Sequence, residues 1–184
     1  MKPTIITIAG TLGSGKSSTA RGVAEILGYR HFSSGDLFRA IGKERGLSIE
    51  EINKTAELEQ EIDRAVDKRL QDMAHDTNLV IDSRLAFHWM PDSFKVFLDL
   101  APEIAATRIF KQIQSEGRHS EWGASVAEVL ESIKNRRESE KKRYGALYHI
   151  DITDISPFDL VVDTSKYDLA GVIGHILKTY RARD

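Results

Sequence analysis

The chain has 184 residues, 41% of them hydrophobic and 29% charged, with a net charge of −2. That length suits one domain with a substantial core, and so balanced a charge gives no footprint for nucleic acid. There is no cysteine and no run of 18 apolar residues, which excludes disulfides, thiolate metal sites and a membrane-spanning helix. A strand begins almost at the first residue and leaves no room for a signal peptide, so a cytoplasmic enzyme is expected.

The β-branched run Ile5-Ile6-Thr7-Ile8-Ala9 predicts a strand that ends at Gly10. The next residues, Gly10, Thr11, Leu12, Gly13, Ser14, Gly15, Lys16 and Ser17, spell G-x-x-x-x-G-K-[ST] before a helical stretch. Strand before and helix after are the context in which this pattern binds phosphate. The glycines let successive N–H groups turn inward around an anion, and the helix adds unpaired donors and the positive end of its dipole. Lys16 would reach the β- and γ-phosphates of a nucleotide, and the Ser17 hydroxyl would hold Mg²⁺.

Residues 18–27 read as an amphipathic helix with Val23, Ile26 and Leu27 inward, closed by Gly28. A short strand over 29–33 follows, and Ser33-Ser34-Gly35-Asp36 begins a helix that carries Arg39 one turn after Asp36. Residues 46–76 have helical period throughout. Ser48 and Glu51 form a capping box, and Ile62, Val66 and Leu70 recur at four-residue spacing. Asn53-Lys54-Thr55 fits a glycosylation acceptor but reads as helix surface. Strands are predicted at 79–82 and 94–100, the second followed by a helix with Pro102 near its first position.

Residues 114–123, QSEGRHSEWG, are polar and glycine-punctuated and read as a mobile loop. A long charged helix is predicted over 125–144, the last strand over 159–163 and the last helix over 169–180. Strands alternating with helices predict an α/β fold whose parallel sheet is covered on both faces. The organisation expected is one domain, with a core of 1–34, 77–109 and 151–184 and helical excursions at about 35–76 and 110–150.

In such sheets ligands gather outside the C-terminal strand ends. Asp82 ends an apolar run there, where an acid can bind Mg²⁺ directly or through water. Arg84, two residues on, and Arg39 each offer a planar donor set for phosphate. Arg136, Glu140 and Arg143 stand at i, i+4 and i+7 on one helix face. They are either a solvated face knitted by ion pairs or a lid delivering guanidinium groups to a transferring phosphoryl group. The six histidines have no metal-ligand spacing and are assigned no chemistry, and Phe87 and Trp89 either line an acceptor pocket or pack in the core, the commoner fate of such aromatics.

Taken in order, GTLGSGKSS, SSGDLFR, DSR, AP-E-x-x-x-x-R, R-x-x-S-E-x-x-R-Y and DTS resemble the archaeal-type cytidylate kinases, among the nucleoside monophosphate kinases. The resemblance spans essentially the whole chain. It implies a P-loop NTPase three-layer sandwich with a five-stranded parallel sheet, an acceptor-binding region and a lid. It implies transfer of the ATP γ-phosphoryl group to CMP or dCMP with Mg²⁺. The partners expected are small nucleotides, and a monomer is expected because a single chain of this kind can do the work. Carried over by position, Gly13 to Ser18 of the loop that starts at Gly10 would bind the ATP phosphates, with Arg108 and the Asp163–Ser165 loop, Thr164 included, near the adenine. Ser34, Gly35, Asp36, Arg39, Arg84 and Glu140 would hold the acceptor, Ser17 and Asp82 the metal, and Lys16, Arg136 and Arg143 would act on the transferring group. Ser83 stands where the family usually has glycine.

Two rivals remain open on the residues. One is a kinase of another small acceptor such as AMP, UMP or a hydroxylated metabolite; the paired Arg39 and Arg84 favour an acceptor that already bears phosphate, which weighs against the hydroxylated metabolite alone. The other is a nucleotide-dependent switch, against which Asn53-Lys54-Thr55-Ala56 lacks the Asp of a guanine-reading N-K-x-D motif.

Overall fold

The structure is a computed structural model that describes residues 3–116 and 124–183. Five strands, β1 (Ile5–Gly10), β2 (Arg30–Ser33), β3 (Leu79–Asp82), β4 (Phe94–Asp99) and β5 (Leu160–Asp163), form one parallel sheet in the order β2-β3-β1-β4-β5. The helices are α1 (Lys16–Leu27), α2 (Ser34–Glu44), α3 (Ile49–Leu58), α4 (Gln60–Asp72), α5 (Ala86–Trp89), α6 (Pro102–Glu116), α7 (Val126–Tyr148) and α8 (Leu169–Arg181). Period-two alternation sends β1 side chains to both faces. Ile6 and Ile8 join Val80 and Leu98 under α1 and α8, while Ile5 joins Leu79 and Ile81 under the end of α4 and α5. With both faces covered, the strands must be apolar almost throughout, as their sequences are.

Register places the site. Asp82 at the end of β3 lies between Ile8 of β1 and Ser33 of β2, and Gly10 pairs with Leu98 of β4. Chain order reverses on either side of β1, so the crevice outside the strand ends opens there. Between β2 and β3 the chain runs through α2, α3 and α4, which bury their own cluster around Phe38, Ile52, Ile62 and Val66. The Ser48–Glu51 capping box forms at the start of α3.

Several elements differ from the sequence expectations. Residues 114–116 belong to α6 rather than to a loop, and 117–123 lie outside the described residues. Helix α7 runs past Gly145 to Tyr148 and ends at His149, whose φ of 56° is left-handed. Gly145 costs the helix about 1 kcal/mol, and the last turn is held by Tyr148, whose hydroxyl donates to Asp67. The charged stretch 46–76 breaks into two helices at Glu59. Ile26 is 55% exposed, because the buried stripe of α1 runs through Ala20, Val23 and Ala24, with Leu27 packed against it, and Ile26 falls about 120° away. Asn53 is buried at 7% exposure rather than lying on the surface of α3.

Candidate active site

The loop between β1 and α1 is built by backbone constraints. Gly10 has φ 149°, and a Cβ there would lie 2.2 Å from Leu98 O, the carbonyl that already accepts from Thr11 N at 3.0 Å. Gly15, at φ 83°, caps α1 without a side-chain hydrogen bond, so the first-turn N–H groups point outward for an anion. Gly10→Ala is therefore expected to push β1 from β4 and cost at least about 2–3 kcal/mol. A thermal melt should show a drop of roughly 5–10 °C at this chain length, and an unchanged melt would refute the packing argument.

Four strand ends converge on a cleft of about 630 Å³, lined by Leu12, Gly13, Gly15, Lys16, Ser17 and Ser18 of the loop and by Ser34, Gly35, Asp36 and Arg39 of α2. Asp82 and Arg84 line it after β3, Arg108 from α6, and Arg136, Glu140 and Arg143 from α7. Lys16 Nζ donates to Thr11 O at 2.9 Å, and Ser14 Oγ to the same oxygen at 2.8 Å. Burial first, and then the Arg84 charge, push the Lys16 ammonium well below its ordinary pKa, with Glu140 and Asp82 pulling the other way.

Glu140 is the hub of the cluster. It is 4% exposed and accepts from Arg84 Nε at 2.7 Å and from Arg136 Nε at 3.1 Å. Burial pushes its carboxyl up, but the two guanidinium charges outweigh that and bring it down to about 2. Arg84 also donates from NH1 to Gly10 O at 2.8 Å, which fixes its fork beside the loop. Ser83 fits where the resemblance has glycine: its N–H donates to Ile8 O and its Oγ accepts from Leu85 N.

Asp82 is buried at 4% exposure and accepts from Ser33 Oγ at 2.9 Å, while Ser33 Oγ caps α2 by accepting from Asp36 N. Burial raises the Asp82 carboxyl, but His31, Ser17, Ser33 and the Lys16 charge together bring it below the usual range. His31, given no chemistry from sequence, stands with Nε2 3.4 Å from Asp82 Oδ2. On the far side of the loop, Arg108 donates to Thr164 O at 2.8 Å, and Thr164 is tied to Asp99 O. Arg39 pairs with Asp36 at the exposed rim.

Arg143, expected to act with Arg136, lines the same cleft and is held there by partners on α3 and α4. Its NH1 donates to both oxygens of Asp63 at 3.0 and 3.1 Å, and NH2 reaches Asn53 Oδ1 at 3.3 Å. Asn53, Asp63 and Asp67 all line the cleft and were not foreseen. Asp63 and Asp67 lie four residues apart on α4, a spacing that puts both on one face; burial among three helices, invisible locally, makes that face the wall of the cleft.

A family model described as an AAA domain matches residues 9–120. The chain is 39% identical over 178 residues to a cytidylate kinase of Methanothrix thermoacetophila, covering 97% of this chain and 98% of that one. It is 41% identical over 170 residues to a cytidylate kinase of Pyrococcus abyssi, covering 91% and 88%. A shikimate kinase structure from Bacteroides thetaiotaomicron superposes with a TM-score of 0.62 at 16% identity, over 95% of this chain and 96% of that one, which shows a shared kinase fold. With its P-loop cleft and this end-to-end likeness, the chain belongs to the cytidylate kinase family.

Proposed function

We propose that the protein transfers the γ-phosphoryl group of ATP to CMP or dCMP, working as a cytoplasmic monomer on small nucleotides. The observation that carries this reading is the Lys16–Arg84–Arg136 cluster gathered by Glu140 at the start of α1, a preorganised cationic site beside a phosphate loop. The names of the relatives supply the cytidine acceptor. Excursions of about 35–76 and 110–150 serve as the acceptor-binding region and the lid.

In this reading the loop from Gly10 to Ser18 holds the ATP phosphates, and Arg108 with Thr164 flanks the adenine. Ser34, Gly35, Asp36, Arg39 and Arg84 hold the acceptor phosphate. Transfer is in line and forms no covalent enzyme intermediate, because the loose transition state needs positioning and charge neutralisation above all. Lys16 leaves Thr11 O for the transferring oxygens, whose charge restores its proton affinity, and Arg136 faces the same group. The acceptor oxygen is already anionic at neutral pH, so no general base is required. Closure by α7 excludes water, against which ATP would otherwise be spent.

The residues fit a divalent cation. Asp82 Oδ2 is buried short of a full hydrogen bond, with His31 Nε2 3.4 Å away, and Ser17 acts on the same carboxylate. Among the described residues no group of three or more His, Asp or Glu could hold a metal, so nucleotide oxygens would complete the shell. Mg²⁺ held there would supply charge neutralisation to the nucleotide phosphates.

The test is ADP release from Mg-ATP with CMP, dCMP, UMP, AMP, GMP, dTMP or no acceptor. Turnover with CMP or dCMP well above the others is expected. Activity centred on AMP or UMP would move the acceptor, and silence with every monophosphate alongside tight ATP binding would refute the reading.

A further inference from the structure

The acceptor and metal subsites meet in one hydroxyl group that belongs to neither. Ser33 ends β2 and is 6% exposed, so its Oγ must bond within the protein. It donates to Asp82 Oδ1 at 2.9 Å and accepts from Asp36 N at 3.2 Å. A hydroxyl has a single proton. With that proton on Asp82, only lone pairs remain for Asp36 N, and the chain runs one way, from amide to hydroxyl to carboxylate.

Strand register and helix capping build this chain together. Ser33 is paired with Asp82 across β2 and β3. It is also the N-cap of α2, with φ −121° and ψ 116°, and Asp36 is the third residue of that helix. The bond to Oδ1 decides which carboxylate oxygen is left over. Oδ2 is short of a full hydrogen bond, with His31 Nε2 at 3.4 Å. The last torsion of an Asp side chain is soft, so Ser33 is what holds this carboxylate in one orientation. Outer partners of this kind set how well a carboxylate holds a cation, and their loss is felt at about 10–100-fold in metal affinity.

We propose that Ser33 is a positioning residue that couples the two subsites, so that an acceptor bound at α2 strengthens the hold of Asp82 on the metal nucleotide. The inference rests on the acceptor and Mg²⁺ reading above and adds a link between its two halves. Ser34, Gly35 and Arg39, which hold the acceptor phosphate in that reading, follow Ser33 directly on α2. An anion drawn onto them tightens the first turn, and Asp36 N then donates more firmly to Ser33 Oγ. Hydrogen bonds in a chain polarise one another, so the Ser33 proton becomes a better donor and Asp82 is held more rigidly. Linkage makes the effect reciprocal: a metal nucleotide at Asp82 must improve acceptor affinity by the same factor.

The experiment is calorimetric and needs no turnover. The dissociation constant of β,γ-imido-ATP with Mg²⁺ is measured with and without saturating CMP, in wild type, Ser33→Ala and Ser33→Thr. The wild-type pair is repeated with EDTA in place of Mg²⁺. In wild type, CMP is expected to tighten the Mg²⁺ nucleotide by about fivefold or more. Ser33→Ala should bring that factor to within about twofold of unity. Ser33→Thr keeps the hydroxyl on an extended backbone that suits a β-branched residue, and should restore the factor. EDTA should abolish the factor in wild type, because Asp82 acts on the nucleotide through the cation. A merely structural Ser33 would lower the melting temperature on losing its cap and leave the factor at its wild-type value, which would overturn the proposal. A wild-type factor near unity, or one that survives EDTA undiminished, would overturn it too. If Ser33→Ala shows no melting transition, Ser33→Gly takes its place, since glycine caps helices almost as well and also lacks the hydroxyl. Failure of CMP to bind the wild-type protein would instead sink the acceptor reading, and the coupling with it.

Discussion

Replacing Lys16 with Ala is expected to lower kcat by at least about 10³, the scale on which a single preorganised donor to developing charge is felt. The ammonium sits where Arg84, Arg136, Glu140 and Asp82 all act on it, so no neighbour can take over its charge without leaving its own partner. Stability should move the other way. Burial already disfavours the charged lysine, and its removal relieves that desolvation, so the melting temperature should hold or rise. Single-turnover ADP formation and a thermal melt on the same sample separate the two effects. Turnover within tenfold of wild type would remove Lys16 from the chemistry.

Glu140→Gln is expected to be the most damaging single change to stability. It leaves two guanidinium groups, 16% and 17% exposed, facing each other without their shared counter-charge. Breaking a buried pair in this way costs about 3–5 kcal/mol, which at this size is a fall of roughly 10 °C in Tm. Activity should fall with it, since Arg84 and Arg136 lose the group that orients them. The pH dependence gives an independent readout. Glu140 has its folded pKa lowered to about 2, so its contribution is full above the unfolded value near ~4.3 and disappears as pH falls from there toward 2. Asp63 has the opposite sign: its folded pKa, raised to about 6, means that protonation between about 6 and 4 favours the folded state. The wild-type melt should therefore decline below about pH 4.5, and Glu140→Gln should lose much of that decline. A variant that melts and titrates like wild type would show that the buried hub is not a source of stability.

The phosphate loop, the strands and the starts of α1, α2, α3, α6, α7 and α8 were legible because their signals are local. The G-x-x-x-x-G-K-[ST] spacing, the β-branched runs and the Ser48–Glu51 box each lie within a few residues. The i, i+4 pairing of Arg136 with Glu140 was legible for the same reason, whereas the Arg84 half of that cluster joins positions 56 residues apart. Asp63, Asp67 and Asn53 were missed because a polar residue in a charged helix looks solvated until another helix covers it. Their burial is produced by α7 crossing α3 and α4, through Arg143–Asp63 and Lys142–Glu57. The end of α7 was misjudged because Gly145 is a stop signal by propensity, and Tyr148 bonding to Asp67, 81 residues away, overrides it. The role of His31 beside Asp82 follows from strand register, which pairs β2 with β3 and is not written in either segment alone.

Between Arg136 and Arg143 helix α7 contains neither glycine nor proline. The two guanidinium groups are thus joined by a stiff rod whose length is counted in residues. Inserting one residue between them would turn Arg143 by about 100° and carry it off the Asp63 wall, although every side chain on the list would still be present. Drift in this protein can therefore exchange the residues of that segment far more freely than it can change their number, since a relative of altered spacing would lose the Arg143–Asp63 pair.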